Sequence, residues 1–177
     1  INGDYEVARK HINALKQTLF YRKWAKDTEK LLDNPGQINS IPEYAWMRSV
    51  RMKEHDIMFS QEELDSMLGL LYVENDSNVM AMDYLLAWCL LRKDLPRFFE
   101  CHKLLKKGYD ARHYQEAIVL YWALTHDGPE GMPDFITQKT AASFTRFISA
   151  LQSGRNEASM EKEFGNTYWF YYYYRFK

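Results

Sequence analysis

The chain has 177 residues, of which 46% are hydrophobic and 27% charged, a composition that suits a globular domain and excludes a disordered chain. Its formal net charge of −1 lacks the positive field on which nucleic-acid-binding proteins rely, so no nucleic acid partner is expected. Aromatic residues make up 16%, whereas only eight Gly and five Pro are present, which favours packed helices over a turn-rich β-sandwich.

Amphipathic spacing predicts two helices near the start of the chain. Asp4 is placed to cap the first helix, and the second is expected from about Thr18 to Asp33. Asn34-Pro35-Gly36 ends it, because Pro cannot continue the helical hydrogen bonds and Gly relieves the turn. A short third helix is predicted to start at Pro42. The expected apolar faces are Tyr5, Ala8, Ile12, Leu15 and Leu19 for the first helix and Phe20, Trp24, Thr28 and Leu31 for the second.

The stretch from Asn78 to Thr125 predicts three helices joined by turns so short that neighbouring helices must be antiparallel. A capping box at Ser60 to Glu63 starts the helix before it. Pro96 fits the first turn of the second helix, and Gly108 is expected as the left-handed residue after it. The first of the three is apolar almost all round, which is typical of a helix buried on two sides. The third is expected to bury Tyr114, Ala117, Ile118, Tyr121, Leu124 and Thr125.

The last third of the chain predicts a loop, two helices and an aromatic tail. Residues 127–133 form the clearest loop, and the next helix starts at Thr137 or Thr140 and ends at Ser153-Gly154. The tail of residues 166–177 is rich in aromatic side chains, which intrinsically prefer strands. A lone strand in a helical array has nothing to pair with, so a final capping helix is predicted.

The whole pattern predicts an all-α fold. Two helices and their turns between Asn78 and Asp110 take about the length of a tetratricopeptide repeat, although no full repeat consensus is present. We expect a right-handed array of antiparallel helical hairpins, a tetratricopeptide-like α–α superhelix, as one domain over residues 1–177. The chain begins at Ile1 and enters a helical pattern at once, which indicates a piece of a longer protein. No apolar run reaches the roughly 18 to 20 residues of a membrane span.

No motif in the sequence predicts a reaction. His113 and Glu116 stand three residues apart, but the di-metal carboxylate motif has the order Glu-x-x-His and needs two copies. Cys101 and His102 with Cys89 resemble half a zinc site, yet adjacent helical residues point about 100° apart and would not share a metal ion. Nucleophile elbows, phosphate-binding glycine loops and His-Glu-x-x-His sequences are missing. We therefore expect a non-enzymatic protein with no catalytic residue, no cofactor and no metal ion, in which both cysteines are core residues.

Four aromatic residues are candidates for binding a partner. Tyr84 and Trp88 lie on the first helix of the central stretch, and Tyr121 and Trp122 lie on its third. Aromatic residues beyond the needs of the core can line the concave face of a helical array, where such scaffolds bind peptides, and they are typical of interface hot spots. The alternative is that all four rings belong to the core.

Four phrases in the chain are distinctive: residues 2–10 (NGDYEVARK), 18–26 (TLFYRKWAK), 113–117 (HYQEA) and 164–169 (FGNTYW). They resemble an uncharacterised bacterial family in which a multi-span membrane region precedes a soluble, tetratricopeptide-like helical region of unknown function. The resemblance covers essentially the whole chain. It implies the C-terminal soluble domain of a membrane protein of the bacterial envelope, with its own upstream membrane region as a partner. It carries over no catalytic residue.

A basic run near the centre of the chain has two interpretations. It lacks the interleaved aromatic residues that stack bases, and acidic residues lie nearby, so a solvated turn is favoured over a nucleic-acid surface. If the family resemblance holds, the run would instead face anionic lipid head groups. The run consists of Lys103, Lys106, Lys107, Arg112 and His113.

The sequence favours a protein-interaction or scaffold domain attached to a membrane region, with a protein or peptide as its partner. The alternative is an accessory or substrate-recruiting domain of a membrane-embedded enzyme or transporter-like protein. A deep pocket that gathers two or more of His102, His113, Glu116 and Cys101 would favour this alternative. A third hypothesis, a structural cap on the membrane region, predicts that the aromatic tail is sticky when isolated.

Overall fold

The protein is helical throughout the residues that the structure describes. The structure is a computed structural model, and it describes residues 1–52, 64–105 and 111–175. Every regular element in these ranges is a helix, which confirms the predicted all-α class. The helices are α1 (Tyr5–Leu15), α2 (Arg22–Asp33), a 3-10 helix (Pro35–Ser40), α3 (Pro42–Val50), α4 (Leu64–Glu74), α5 (Val79–Leu91), α6 (Leu95–His102), α7 (Arg112–Thr125), α8 (Gln138–Gln152), α9 (Glu157–Phe164) and α10 (Tyr168–Tyr174).

The chain divides into two compact units. Unit 1 is Ile1–Met82 and unit 2 is Asp83–Lys177, so the boundary falls inside α5. The single domain over residues 1–177 and the right-handed tetratricopeptide-like array both stay predictions. The predicted capping box at Ser60 to Glu63 and the helix end at Gly108 lie outside the described residues.

In unit 1, α1 packs against α2, and the 3-10 helix contacts both α2 and α3. Ile12, Ala25 and Ile38 are its buried apolar centre. The predicted helix stop is confirmed, because α2 ends at Asp33 and Pro35 begins the 3-10 helix.

Two asparagines of unit 1 supply the hydrogen bonds at the ends of neighbouring helices. The Asn78 side-chain oxygen accepts the Ala81 N–H at 3.2 Å, which confirms Asn78 as the N-cap of α5. The buried Asn75 amide donates to the backbone carbonyls of Ser49 and Arg51, both at 2.7 Å. The carbonyl groups at the end of α3 thereby gain partners that their own helix cannot provide.

The turn between α1 and α2 differs from the prediction. The sequence placed the second helix from about Thr18, but α2 begins at Arg22. The Thr18 hydroxyl donates to the Leu15 carbonyl at 2.8 Å and so competes with continued helix formation. Leu19 and Phe20, which were expected on inward faces, therefore lie in the turn and are each 92% exposed.

In unit 2, α7 is the central helix. It contacts α6, α8 and α10, and α9 packs against α8 and α10. The aromatic tail is a helix, as predicted, and its N-cap Thr167 accepts the Phe170 N–H at 3.2 Å. Tyr168, Trp169 and Phe170 are buried, so the start of the tail belongs to the core of its own unit.

The inward face of α7 is only partly as predicted. Ala117 and Ile118 are buried, but Leu124 and Thr125 are exposed. Gln115 and Glu116 are buried instead, although both side chains are polar. Their side-chain oxygens accept hydrogen bonds from Thr137, Thr140, Tyr168 and Arg112, which offsets the cost of burial.

Candidate functional site

Unit 1 contains an apolar groove of about 320 Å³ between α1, α2, the 3-10 helix and α3. This volume lies at the low end of the range of small-ligand and peptide-anchor sites. Its walls are Ile1, Ala8, His11, Ile12 and Leu15 on the α1 side, Trp24, Thr28, Leu31 and Leu32 on α2, Ile38 on the 3-10 helix and Tyr44 on α3.

The groove follows from the spacing and the size of the residues on two helices. Apolar residues at steps of three and four put one face of α1 opposite one face of α2, as the sequence predicted. Ala8 and Thr28 are the small members of these faces, and both are half-buried. Larger residues at these two positions would fill space that the small ones leave open. The predicted core faces thus form the walls of an opening.

Exposed lysines lie on α2, the helix that forms one wall of the groove. Unit 1 as a whole, residues 1–82, has ten Lys and Arg against thirteen Asp and Glu, a formal charge of −3, so positive charge is confined to parts of its surface. Lys16 pairs with Glu29 at 2.6 Å across the hairpin. Lys23 and Lys26 are exposed and form no ion pair within the described ranges. A hydrogen bond from Lys30 lowers the pKa of Asp27, and the charge of Lys23 helps to lower it.

The turn between α1 and α2 adds exposed apolar surface, and sequence reasoning missed it. Leu19 and Phe20 are almost fully exposed, and Tyr21 and Trp24 beside them are about half exposed. The signal was present in the sequence, because Leu19 was the last residue of one predicted apolar face and Phe20 was the first residue of the next. The two predicted helices overlapped at these residues and left none for the turn that must separate them.

The four predicted partner-binding residues fall into two separate pairs in unit 2. Tyr84 and Trp88 are one turn apart on α5, where Tyr84 is 62% exposed and the Arg92 guanidinium lies 5.5 Å from the Trp88 ring. Leu91 on the same helix is exposed as well. The apolar helix α5 therefore presents one face to solvent, contrary to the expectation of burial on two sides.

The other pair, on α7, packs against aromatic neighbours. The Tyr121 ring stacks on Phe99 of α6 with centroids 4.9 Å apart, and Trp122 is buried and stacks on His126 at 3.9 Å. Across the described part of the chain, no ring contact joins this pair to Tyr84 or Trp88. Both α7 rings thus contribute to the packing of unit 2.

Glu116 joins several elements of unit 2. Its carboxylate is almost fully buried and accepts hydrogen bonds from Arg112 Nε at 2.7 Å, from His113 Nδ1 at 3.1 Å and from the Tyr168 backbone N–H at 2.7 Å. Its backbone carbonyl accepts the Trp169 indole N–H at 2.8 Å. Glu116 thus holds the start of α10 on α7, and His113 is one of its hydrogen-bond partners.

The remaining candidates for chemistry lie apart from this pair. His102 is buried between the rings of Phe98 and Phe135. Cys89 and Cys101 are buried free thiols, as expected for core residues. A hydrogen bond with the Cys101 thiol, together with burial, raises the pKa of Cys89 above its ordinary value, so the thiol is protonated and unreactive at neutral pH.

The pocket beside Glu116 has neither His102, His113 nor Cys101 in its walls. In residues 1–52, 64–105 and 111–175, no group of three or more His, Cys, Asp or Glu is placed to hold a metal ion.

Two members of the basic run are already paired. Lys103 forms an ion pair with Glu100 at 2.7 Å, and Arg112 pairs with Glu116. Lys106 and Lys107 lie outside the described residues.

Comparison with known proteins gives a family and no further relative. The model of a family of unknown function, DUF6057, matches residues 1–175. No curated protein and no solved structure matches the chain.

The localisation implied by the sequence resemblance, a soluble domain of a membrane protein of the bacterial envelope, is contradicted. One family of unknown function accounts for residues 1–175. Among the helices of the described ranges, none is both long and apolar enough to cross a membrane. The chain belongs to the family of unknown function DUF6057.

Proposed function

We propose that the protein is a non-enzymatic protein-interaction domain that holds an apolar segment of a protein partner in the groove of unit 1. The observation that carries this proposal is the groove itself, a concave and mostly apolar opening of about 320 Å³. Trp24 lines the groove and is half exposed, and Trp is among the residue types that dominate the energy of protein interfaces.

The chemistry of the groove defines the partner. Its volume accommodates one or two apolar side chains, and full burial of one Leu or Phe contributes about 1.5–3 kcal/mol. The exposed Lys23 and Lys26, next to Trp24 on α2, favour acidic residues beside these anchors. The partner segment is therefore an amphipathic helix with apolar anchors and flanking Asp or Glu. The exposed Leu19 and Phe20 supply a second contact beyond the groove.

The predicted hairpin arrangement belongs to this proposal. Neighbouring helices pack as hairpins within each unit, α1 on α2 in unit 1 and α7 on α8 in unit 2, which supports a right-handed tetratricopeptide-like array as a scaffold. Tyr84 and Trp88 on α5 form an additional contact surface for a protein partner, because both present ring surface to solvent. Tyr121 and Trp122 contribute less, since their rings already stack on Phe99 and His126.

Site-specific photocrosslinking tests the proposal. A photoreactive amino acid replaces Thr28 in the wall of the groove, and the full chain is expressed in its native host. The variant A8F fills the groove from α1. A14F places the same side chain on an exposed position of α1 outside the groove and is the matched control. We expect a crosslink to an apolar and acidic segment of one protein, lost in A8F and retained in A14F.

Three outcomes contradict the proposal. Equal crosslinking in the A8F and A14F backgrounds would show that the groove is not the binding site. A product that contains only a second copy of this chain would show that the groove takes part in self-association and does not bind another protein. A product that contains only lipid would show that the groove contacts a lipid surface and not a protein. Circular dichroism establishes that both variants keep their helical content.

A further inference from the structure

Unit 2 contains a polar pocket whose chemistry differs from that of the groove. The pocket has a volume of about 430 Å³ and lies between α7, the first half of α8, the end of α9 and the start of α10. Its inner wall includes the buried rings of Phe164 and Trp169, and hydroxyl, amide and charged groups form the rest. We call it the polar pocket.

The charges of the pocket walls do not cancel. Arg112 is paired with Glu116 at 2.7 Å, and Glu163 is paired with Arg155 at 2.7 Å. The other two cations of the pocket wall are Lys139 and Arg146. Neither makes an ion pair or a side-chain hydrogen bond with any residue that the structure describes.

The two cations lie on one face of α8. Lys139, Ser143 and Arg146 are spaced i, i+4 and i+7, so their side chains project from the same side of the helix. The rise of 1.5 Å per residue puts the backbones of the two cations about 10 Å apart. Each of the two long side chains can span about half of this distance, and the Ser143 hydroxyl lies between them. This hydroxyl also has no hydrogen-bond partner in the described part of the chain.

The walls around this face are held in place by their own hydrogen bonds. The Gln115 side-chain oxygen accepts the Thr137 N–H at 3.1 Å and the Thr140 hydroxyl at 3.0 Å, which fixes the start of α8 on α7. Arg112 Nη2 donates to the Asn166 side-chain oxygen at 3.2 Å. The pocket is therefore formed before a ligand arrives, which lowers the entropic cost of binding.

We propose that the polar pocket binds a small phosphomonoester, with its phosphate between Lys139 and Arg146. A phosphomonoester carries a charge of about −1.5 to −2 at pH 7 and three acceptor oxygens, which matches the two cations and the hydroxyl on this face of α8. The volume of about 430 Å³ exceeds the needs of a phosphate and leaves room for an organic body. The hydroxyl and amide groups of the wall suit a hydroxylated body. This site is in unit 2 and does not depend on the groove of unit 1.

Isothermal titration of the full chain with glycerol 3-phosphate, inorganic phosphate and glycerol tests this site. We expect saturable binding of one glycerol 3-phosphate per chain, weaker binding of inorganic phosphate and no binding of glycerol. K139Q and R146Q should each weaken the binding of glycerol 3-phosphate about tenfold, since each removes one charge-assisted contact. S143A should weaken it by a smaller factor.

K162Q is the matched control, because Lys162 is an exposed cation of α9 outside the pocket walls. An equal loss in K162Q would overturn the proposal, because binding would then follow overall charge. Absence of saturation with either phosphate compound would overturn it as well. Equal affinities for inorganic phosphate and glycerol 3-phosphate would overturn the assignment of an organic ligand. Thermal unfolding of each variant establishes that the pocket is still folded.

Discussion

The two units use helical hairpins to form cavities of opposite chemistry. The groove of unit 1 is apolar and has the half-exposed Trp24 in its wall, whereas the pocket of unit 2 is polar and has the buried Trp169 in its wall. The difference arises from what the facing helices contribute. In unit 1, α1 and α2 present small and large apolar residues to each other, while in unit 2 buried Gln115 and Glu116 bind the ends of other helices. Cavities with similar helical walls can thus select different classes of ligand.

Removal of the tryptophan from each cavity wall should give the largest contrast. Trp169 is 1% exposed, packs on Phe144 and Phe147 and donates its indole N–H to Glu116, so W169A should lower the free energy of unfolding by about 3–5 kcal/mol. Trp24 is 47% exposed, so W24A should cost about 1 kcal/mol or less. Urea denaturation measures both variants. Equal losses would show that the groove wall is as much a part of the core as the pocket wall.

The next contrast concerns two glutamates that bridge helices. E116Q removes the negative charge that accepts hydrogen bonds from Arg112, His113 and the Tyr168 N–H, and we expect a loss of about 1.5–3 kcal/mol. E29Q in unit 1 breaks a partly exposed ion pair with Lys16, which is worth about 0–1 kcal/mol. The same denaturation experiment compares them. A loss for E29Q as large as that for E116Q would contradict the structural role assigned to Glu116.

The smallest expected effect appears only at high pH. Burial, followed by the nearby phenols of Tyr172 and Tyr171, raises the pKa of Tyr168 above its ordinary value, and its hydroxyl donates to the Leu90 carbonyl at 3.0 Å. Above about pH 10 the unfolded chain loses a phenol proton that the folded chain keeps, so the free energy of unfolding falls as pH rises. Y168F should therefore lose less stability than wild type between pH 8 and pH 11.

The control for this measurement is Y21F, which removes an exposed phenol in the turn of unit 1. Its loss of stability between pH 8 and pH 11 should equal that of the wild type. If Y168F and Y21F behave alike, burial of Tyr168 does not govern the alkaline unfolding of unit 2.

Much of the fold was predictable because its signals are local. Helix α2 ends just before Pro35, Pro96 lies in the first turn of α6, and Asn78 and Thr137 cap α5 and α8, as their positions suggested. The aromatic tail was correctly predicted as a helix against its intrinsic strand preference, because a strand would have had no neighbour. Each of these predictions needs only a few consecutive residues and one physical rule.

The candidate sites were less predictable, because they depend on contacts between distant residues. The bond from the Tyr168 N–H to Glu116 spans 52 residues, and no spacing rule connects them. The groove depends on how far Ala8 and Thr28 fall short of filling the space between α1 and α2. The periodicity that identified both faces gives the direction of a side chain but not the fit of its neighbours. For the same reason, Tyr84 and Tyr121 were equally good candidates for binding a partner from the sequence alone, although only Tyr84 is well exposed.

The central claim is that the groove of unit 1 binds an apolar segment of a protein partner, and the affinity of A8F tests it most directly. The segment recovered by crosslinking is synthesised with a fluorescent label, and its binding to wild type, A8F and A14F is followed by fluorescence anisotropy. The account predicts that A8F binds at least about tenfold more weakly, since one anchor side chain is displaced, while A14F binds like wild type. Wild-type affinity in a folded A8F variant would contradict the account.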